Sequence, residues 1–475
     1  MASDFIGEEL ESNDVLIDVP LVMEPPLWPE CCIYPVPKNL RKINKEAYTP
    51  KLVSIGPFHH GLKELRDMEK HKLRYFKDFL YRTRKSQEDL LKIIQDNEVK
   101  IRHCYSEDSK LSSTDFVKMI LLDAIFIIEL FVRFHIFYVL EVKVEDNENE
   151  LFVRTREKEN DYMSSQPWLE GDIRHDLILL ENQLPFFVLE QLYTFAFSDS
   201  SDPVHQLGFI MHSACYFSTY IYREFHDDMQ LPEEFNNEEV KHFTDLIRYV
   251  FCSVPDLKLT DYLDDVYCAT KLDEAGLKFK AVENRSLLNI RFHRNKWLNY
   301  CPFSNLSWLL ACLPCLKSVF PGLERMQSIL EVPPLKIHDS TEALFRNLMA
   351  LEQCHYPSHT YICNYVMLLD YLIDTERDVD LLVEKKIIVN NIGSNVRVAN
   401  LINKLCLQIV KYESCYSVLG KEINKYCDNH WNRIMATMKS VYFRDFWRGT
   451  ATMVALIVLG FTLWNFLKPN YVMIK

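Results

Sequence analysis

The sequence predicts a mainly α protein: a large multi-helix body, a small antiparallel β-sheet and a single C-terminal transmembrane helix. Three observations predict it. Apolar residues recur at helical spacing through most of the chain, as in Asp172–Tyr193. The period changes to two near residues 277–337. A 19-residue stretch at the end, Gly449–Leu467, carries no charge. The division that follows is an acidic leader (1–28), the helical body (29–448) with its β element near 277–337, the membrane helix (449–467) and a short tail (468–475).

The first 37 residues hold eight acidic side chains and no Lys or Arg. They have neither a basic segment nor an apolar core, so they do not read as a secretory signal or a transit peptide. Residues 1–28 read as a disordered acidic leader. Pro25, Pro26 and Pro29, then Ile33–Pro37, suggest an extended segment laid on the body. Residues 48–61 form an extended run ending in a turn. A helix is predicted over Leu65–Ile94, with Leu73, Phe76, Leu80, Leu90, Leu91 and Ile94 as its apolar stripe.

Phe116–Val142 is strongly apolar, yet Asp123, Glu129, Arg133 and His135 interrupt it. Each central charge would cost roughly 2.5–3.5 kcal/mol in lipid, so a buried helix with paired charges is predicted. Residues 141–161 form a charged, exposed loop. In Asp172–Tyr193, Leu177, Leu180, Leu184, Phe187 and Val188 share one face, and Asp172 and Asp176 are alternative caps. Pro185 removes a backbone donor, so the helix should kink or restart there. Glu181, Asn182 and Gln183 sit beside that break and must find partners or cost roughly 1–3 kcal/mol each. The stretch reads as a central core helix whose polar residues stitch it to its neighbours.

Residues 204–253 are further helix. Leu277–Val282, Leu287–Phe292, Ile329–Val332 and Leu335–Ile337 alternate like strands of one antiparallel sheet. Tyr300–Gly322 between them is almost uncharged. Its Cys312 and Cys315 have dithiol spacing but lack the βαβ setting of a redox motif, so they read as part of an apolar insert. Helices follow over Thr341–Gln353, which Asp339 can cap with Glu342 three residues on, and over Tyr361–Asp374, Asp378–Lys385 and Asn400–Tyr426. Gly393 marks a turn. Gly449–Leu467 matches the hydrocarbon thickness at about 1.5 Å per residue. Lys439, Arg444 and Arg448 precede it, and Trp447 and Trp464 stand near its ends. These features predict a tail-anchored protein, held by Gly449–Leu467 with its body in the cytosol; plasma membrane and endomembrane are not distinguished.

Composition excludes several functions. The chain has 475 residues, is 48% hydrophobic and 13% aromatic, and carries a formal net charge of −13. That charge argues against nucleic acid as a partner. Eleven glycines, no two closer than Gly56 and Gly61, leave no room for a dinucleotide-binding or G-x-S-x-G motif. The run GPFHHGLK has Walker-type spacing, but Leu62 and Lys63 stand where Lys and Ser/Thr are needed and Pro57 removes an amide, so no nucleotide is expected. Fourteen irregularly spaced cysteines read as reduced, small apolar residues. His59, His60 and His71 lack neighbours at ligand spacing, so no metal or other cofactor is expected. No catalytic residue is assigned. Were the chain an enzyme, His175 with Asp176 and Glu181, or His59 and His60, would supply its acid–base groups; the ordinary reading is buried structural polar groups.

Long ordered segments give the chain a likeness. IYPVPKNLR (33–41), YTPKLVSIGPFHHG (48–61), MEKHKLRY (68–75), DIRHDLILLENQLPFFVL (172–189), ATKLDEAGLKFK (269–280) and PPLKIHDSTEALFRNLMALEQC (333–354) with the closing apolar helix resemble the plant domain-of-unknown-function-247 family, over about residues 30–467. The resemblance implies a mostly helical fold, a C-terminal membrane helix and no established enzyme activity. Some relatives in grasses look like pollen-side determinants of self-incompatibility, and others are linked to sex determination. It therefore implies a membrane-anchored, non-enzymatic recognition or signalling protein whose partners are other proteins contacting exposed loops. Residues 293–327 look like an insertion relative to the shorter family pattern.

Overall fold

The computed structural model describes residues 27–139, 161–224 apart from 164 and 203, 240–294 apart from 254–256 and 284, 328–430, 433–434, 437 and 446–472. Most of the leader, most of the 141–161 loop and most of the 293–327 insertion, including Cys312 and Cys315, lie outside these residues.

The N-terminal half is a helical assembly around one buried helix. After α1 (Lys38–Ile43) the chain runs extended through Val53–Gly56 into α2 (Arg66–Thr83) and α3 (Gln87–His103). The single helix expected over Leu65–Ile94 is therefore two. Arg84 takes a left-handed conformation (φ 56°), and Ser86 caps α3 by accepting from the Asp89 N–H at 3.1 Å. Helix α4 (Ser113–Phe134) runs on into a π-turn at His135–Val139 and packs on α2 and α3. Its charges are paired, as the sequence required: Lys72 Nζ meets Asp123 Oδ1 at 2.6 Å, and Arg82 and Arg133 meet Glu129 Oε1 at 2.9 and 2.8 Å.

The predicted central helix is interrupted more deeply than one proline requires. Helix α5 (Pro167–Leu177) stops, Ile178–Pro185 is not helical, and α6 (Phe186–Phe197) restarts the run. Two further helices, α7 (Phe209–Glu224) and α8 (Phe243–Cys252), complete this half. Phe131 of α4 is its aromatic centre, with the rings of Phe209, Tyr216, Phe217 and Phe243 at 4.4–5.8 Å.

The β element departs from the expected antiparallel sheet. Strand β1 (Asp261–Tyr262) leads through α9 (Ala269–Glu274) to β2 (Lys278–Ala281), β3 (Arg291–His293), β4 (Ile329–Val332) and β5 (Leu335–Ile337). Strand β4 is central: it pairs with β2 in parallel, Phe279 opposite Leu330, and with β3 antiparallel, Phe292 opposite Leu330. Strand β5 leaves this sheet and pairs in parallel with β6 (Ile388–Asn390). Alternation marks a strand but is blind to its partner and direction.

Helices α10 (Thr341–His355), α11 (Tyr361–Leu372) and α12 (Glu376–Glu384) follow their predicted positions closely. Ser340, rather than Asp339, is the N-cap residue of α10, and Glu342 pairs with Arg346 instead of closing a capping box. The helix expected over Asn400–Tyr426 is α13 (Asn395–Leu405) and α14 (Ser417–Cys427), separated by β7 (Glu413–Ser414), which pairs antiparallel with β1. One cluster of buried apolar residues runs from Cys32 to Cys427 through both halves.

The C-terminal expectation is overturned. Helix α15 (Phe446–Val472) covers Gly449–Leu467. Among the described residues, however, no helix is long and apolar enough to cross a membrane. The uncharged stretch has only about the minimum spanning length. Six of its nineteen residues, Gly449, Thr450, Thr452, Gly460, Thr462 and Asn465, are glycine or polar. The transmembrane and tail-anchored readings fall with that finding.

Candidate functional site

The polar residues singled out in the sequence converge on Ile178–Pro185, where they hold backbone. The Asp176 carboxylate accepts three consecutive N–H groups, from Lys51 (2.8 Å), Leu52 (2.7 Å) and Val53 (2.9 Å). Asn182 continues that clamp: its Oδ1 accepts from Ile55 N–H at 2.7 Å, and its Nδ2 donates to the carbonyls of Val53 and Asp176. Gln183 Nε2 donates to the carbonyls of Leu177 and Leu179, while its Oε1 accepts from Phe243 N–H at the start of α8. These amides satisfy carbonyls that a continuing helix would have satisfied, which is why α5 can stop inside the core. Gly56 passes so close that a Cβ there would stand 2.6 Å from the Gln183 carbonyl oxygen, and its φ of 71° suits glycine.

Of the acid–base candidates, Asp176 and Glu181 accept backbone N–H groups in this way. Glu181 is ion-paired with Arg41, accepts from Val36 N–H at 2.6 Å and lies 3.2 Å from His59 Nε2. Burial raises its pKa, but His59, Arg41 and Val36 outweigh it and hold the carboxyl below its usual range. Burial drives His175 down to about 4 and Asp176 up to about 6. His59, His60 and His71 are not brought together: His59 faces Glu181, His60 is exposed, and His71 stacks on Tyr162 with ring centroids 4.7 Å apart. None of His175, Asp176, Glu181, His59 or His60 lines either of the two clefts described below.

An open cleft of about 530 Å³ lies elsewhere, between α2, the C-terminal end of α4 and residues 161–163. Arg133 organises its floor. The guanidinium contacts Glu129, Asp161 and Asp78, each at 2.8 Å, and stacks 4.3 Å over the ring of Tyr75. Burial opposes its charge, but Glu129, Tyr75 and Asp161 outweigh burial and raise its pKa. Tyr75 Oη donates to both Asp161 oxygens, at 2.9 and 3.0 Å. Burial, then Asp161, push this phenol well above its usual range, so it remains a donor. The rim is different in kind. Tyr81 is 89% exposed and Tyr162 44% exposed, and Arg74 makes no ion pair among the described residues.

The sequence marked Arg133 only as a charge interrupting an apolar helix. Tyr162 carried no signal, and Arg74 and Tyr81 little, because a surface tyrosine or arginine is unremarkable until the fold gathers several. The spacing of Arg74, Asp78, Tyr81 and Arg82 along one side of α2 was the available clue.

Comparison with known proteins places the whole body in one group. A family model described as a plant protein of unknown function, DUF247, matches residues 33–461. The chain is 28% identical to UPF0481 protein At3g47200 of Arabidopsis thaliana, covering 91% of this chain and 85% of that one. It is 23% identical to the putative UPF0481 protein At3g02645 of the same plant, over 90% and 88% of the two chains. No solved structure matches. The chain belongs to the DUF247 family of plant proteins.

Proposed function

We propose that the protein is a non-enzymatic interaction protein that docks a partner polypeptide in the cleft between α2 and α4. The observation that carries this reading is the composition of the rim. Tyr81, Tyr162, Arg74 and Arg82 are gathered over a floor that Arg133 fixes in place. Tyrosine and arginine dominate the energetics of protein–protein contacts, because they combine large rigid surface with directional hydrogen bonds. A pre-fixed floor lowers the ordering cost of binding. The chemistry selects a segment with a carboxylate for Arg74 and an aromatic or aliphatic side chain for the Tyr81–Tyr162 surface. Occupation of Asp176 and Glu181 as acceptors of backbone N–H groups supports this reading over catalysis.

The test compares the full chain with an Arg74→Glu/Tyr81→Ala double variant of matched circular dichroism and thermal midpoint. Proteins captured from the source tissue are quantified for both, and each candidate is purified and titrated directly. A partner whose purified affinity falls at least tenfold in the variant supports the proposal. If every purified partner binds both forms equally, the cleft is not the docking site.

A further inference from the structure

Cys31 and Cys32 are adjacent in sequence, and the fold brings Cys104 to them. Beyond α3 the chain turns and runs beside the extended segment that holds the pair. Ile33 and Tyr105 form a parallel bridge. The N–H groups of Cys32 and Ile33 both donate to the Cys104 carbonyl at 2.9 Å, and Ser106 N–H donates to the Ile33 carbonyl at 3.0 Å. Cys32 and Cys104 are thus the register pair just before Ile33 and Tyr105. Neighbouring strands stand about 4.8 Å apart, within the roughly 4.4–6.8 Å of Cα separation that a disulfide spans. Cys104 is the C-cap of α3, with helical dihedrals (φ −70°, ψ −19°), and its Sγ donates to the Lys100 carbonyl at 3.3 Å. The Cys32 and Cys104 side chains are both buried.

Both also open onto a second cleft of about 440 Å³, walled by Pro185, Phe186, Phe187 and His355. A small oxidant therefore has a route to two sulfurs that are otherwise buried.

We propose that Cys32 and Cys104 are a thiol–disulfide couple, oxidised by a peroxide small enough to enter this cleft, that locks the extended N-terminal segment to the end of α3. One thiolate attacks a peroxide oxygen. The O–O bond breaks, hydroxide leaves and takes a proton to become water, and a sulfenic acid remains. The second thiolate attacks that sulfur; the S–O bond breaks, the S–S bond forms and a second water leaves. Two thiols lose two protons and two electrons, and the peroxide takes up both. The Cys104 thiol beside it and burial hold Cys32 protonated at neutral pH, so closure is slow and accelerates as pH rises. The bond closes a loop containing α1, α2 and α3, which constrains the unfolded chain and raises the thermal midpoint.

Purified full-length protein is treated with hydrogen peroxide, free thiols are blocked with iodoacetamide, and non-reduced peptides are mapped by mass spectrometry. The expected product links Cys32 to Cys104, reverses with dithiothreitol and melts several degrees higher than the reduced form. Fragmentation between residues 31 and 32 assigns the partner, and Cys31→Ser should retain the link while Cys32→Ser loses it. A link from Cys31 to Cys104 or to Cys354 instead, or both thiols remaining alkylatable after prolonged oxidation, overturns the proposal. The mapping on the unsubstituted chain decides even if a serine variant fails to fold.

Discussion

At the scale of single residues, Asp176 bears the most consequence. Three backbone donors end on its two oxygens, so the segment Lys51–Val53 has its orientation set by one side chain. Burial pushes the carboxyl up to about 6 despite those three bonds, which pull the other way. An asparagine of the same shape would turn an NH₂ toward donors that need an acceptor. Each buried donor left without one costs about 1–3 kcal/mol. Asp176→Asn is expected to lower the free energy of urea unfolding by about 2 kcal/mol with an unchanged denaturant slope. An unaltered midpoint would mean the clamp does not contribute to stability. Glu181, Asn182 and Gln183 were visible in the sequence as a polar cluster in an apolar run, and Asp176 as a possible helix cap. Their partners were not visible, because Val53, Ile55 and Phe243 lie 60 to 129 positions away.

At the scale of elements, the boundary between α2 and α3 shows where periodicity stops being informative. Apolar positions continue in register across Thr83–Ser86, so the pattern alone runs the two helices together. The break rests on Arg84, whose N–H reaches the Leu80 carbonyl at 2.9 Å from a left-handed conformation that costs a residue with a Cβ about 1 kcal/mol. The signal present was Ser86 with an acidic residue three positions on, a helix start. Arg84→Gly is expected to stabilise the protein by about 0.5–1 kcal/mol, read as a raised urea midpoint, since glycine adopts this backbone freely. Ser86→Ala should act in the opposite direction by about 1 kcal/mol. A lower midpoint in Arg84→Gly would show that the arginine side chain contributes more than its backbone costs. Strand β6 was missed for a related reason: three residues carry too little alternation, and their partner β5 is more than 50 positions earlier.

At the scale of the whole molecule, buried histidines govern the response to acid. Burial lowers His242 to about 3 and His175, His212 and His355 to about 4, against an ordinary value of 6.5. The unfolded chain therefore binds more protons than the native chain between pH 6.5 and about 4. Their contribution is complete above pH 6.5 and is lost as pH falls through this window. Asp176 works in the opposite sense, because its raised value makes the native state the better proton acceptor between about 4 and 6. The histidine contribution therefore begins to be lost as pH falls through about 6.5. His242 is the cleanest probe. Its Nε2 donates to the Cys32 carbonyl at 3.1 Å and its Nδ1 accepts from Asp245 N–H at 3.3 Å, an arrangement that requires the neutral ring. His242→Asn keeps an N-cap acceptor for α8 and removes the titration. The urea midpoint of the natural chain is expected to fall between pH 7.5 and 6.0, and the variant's stability should depend on pH less steeply by up to about 1.4 kcal/mol per pH unit, one proton's worth. Equal slopes in the two proteins would show that this ring is already able to take a proton in the native state, and with it that the join between the N-terminal segment and α8 tolerates charge.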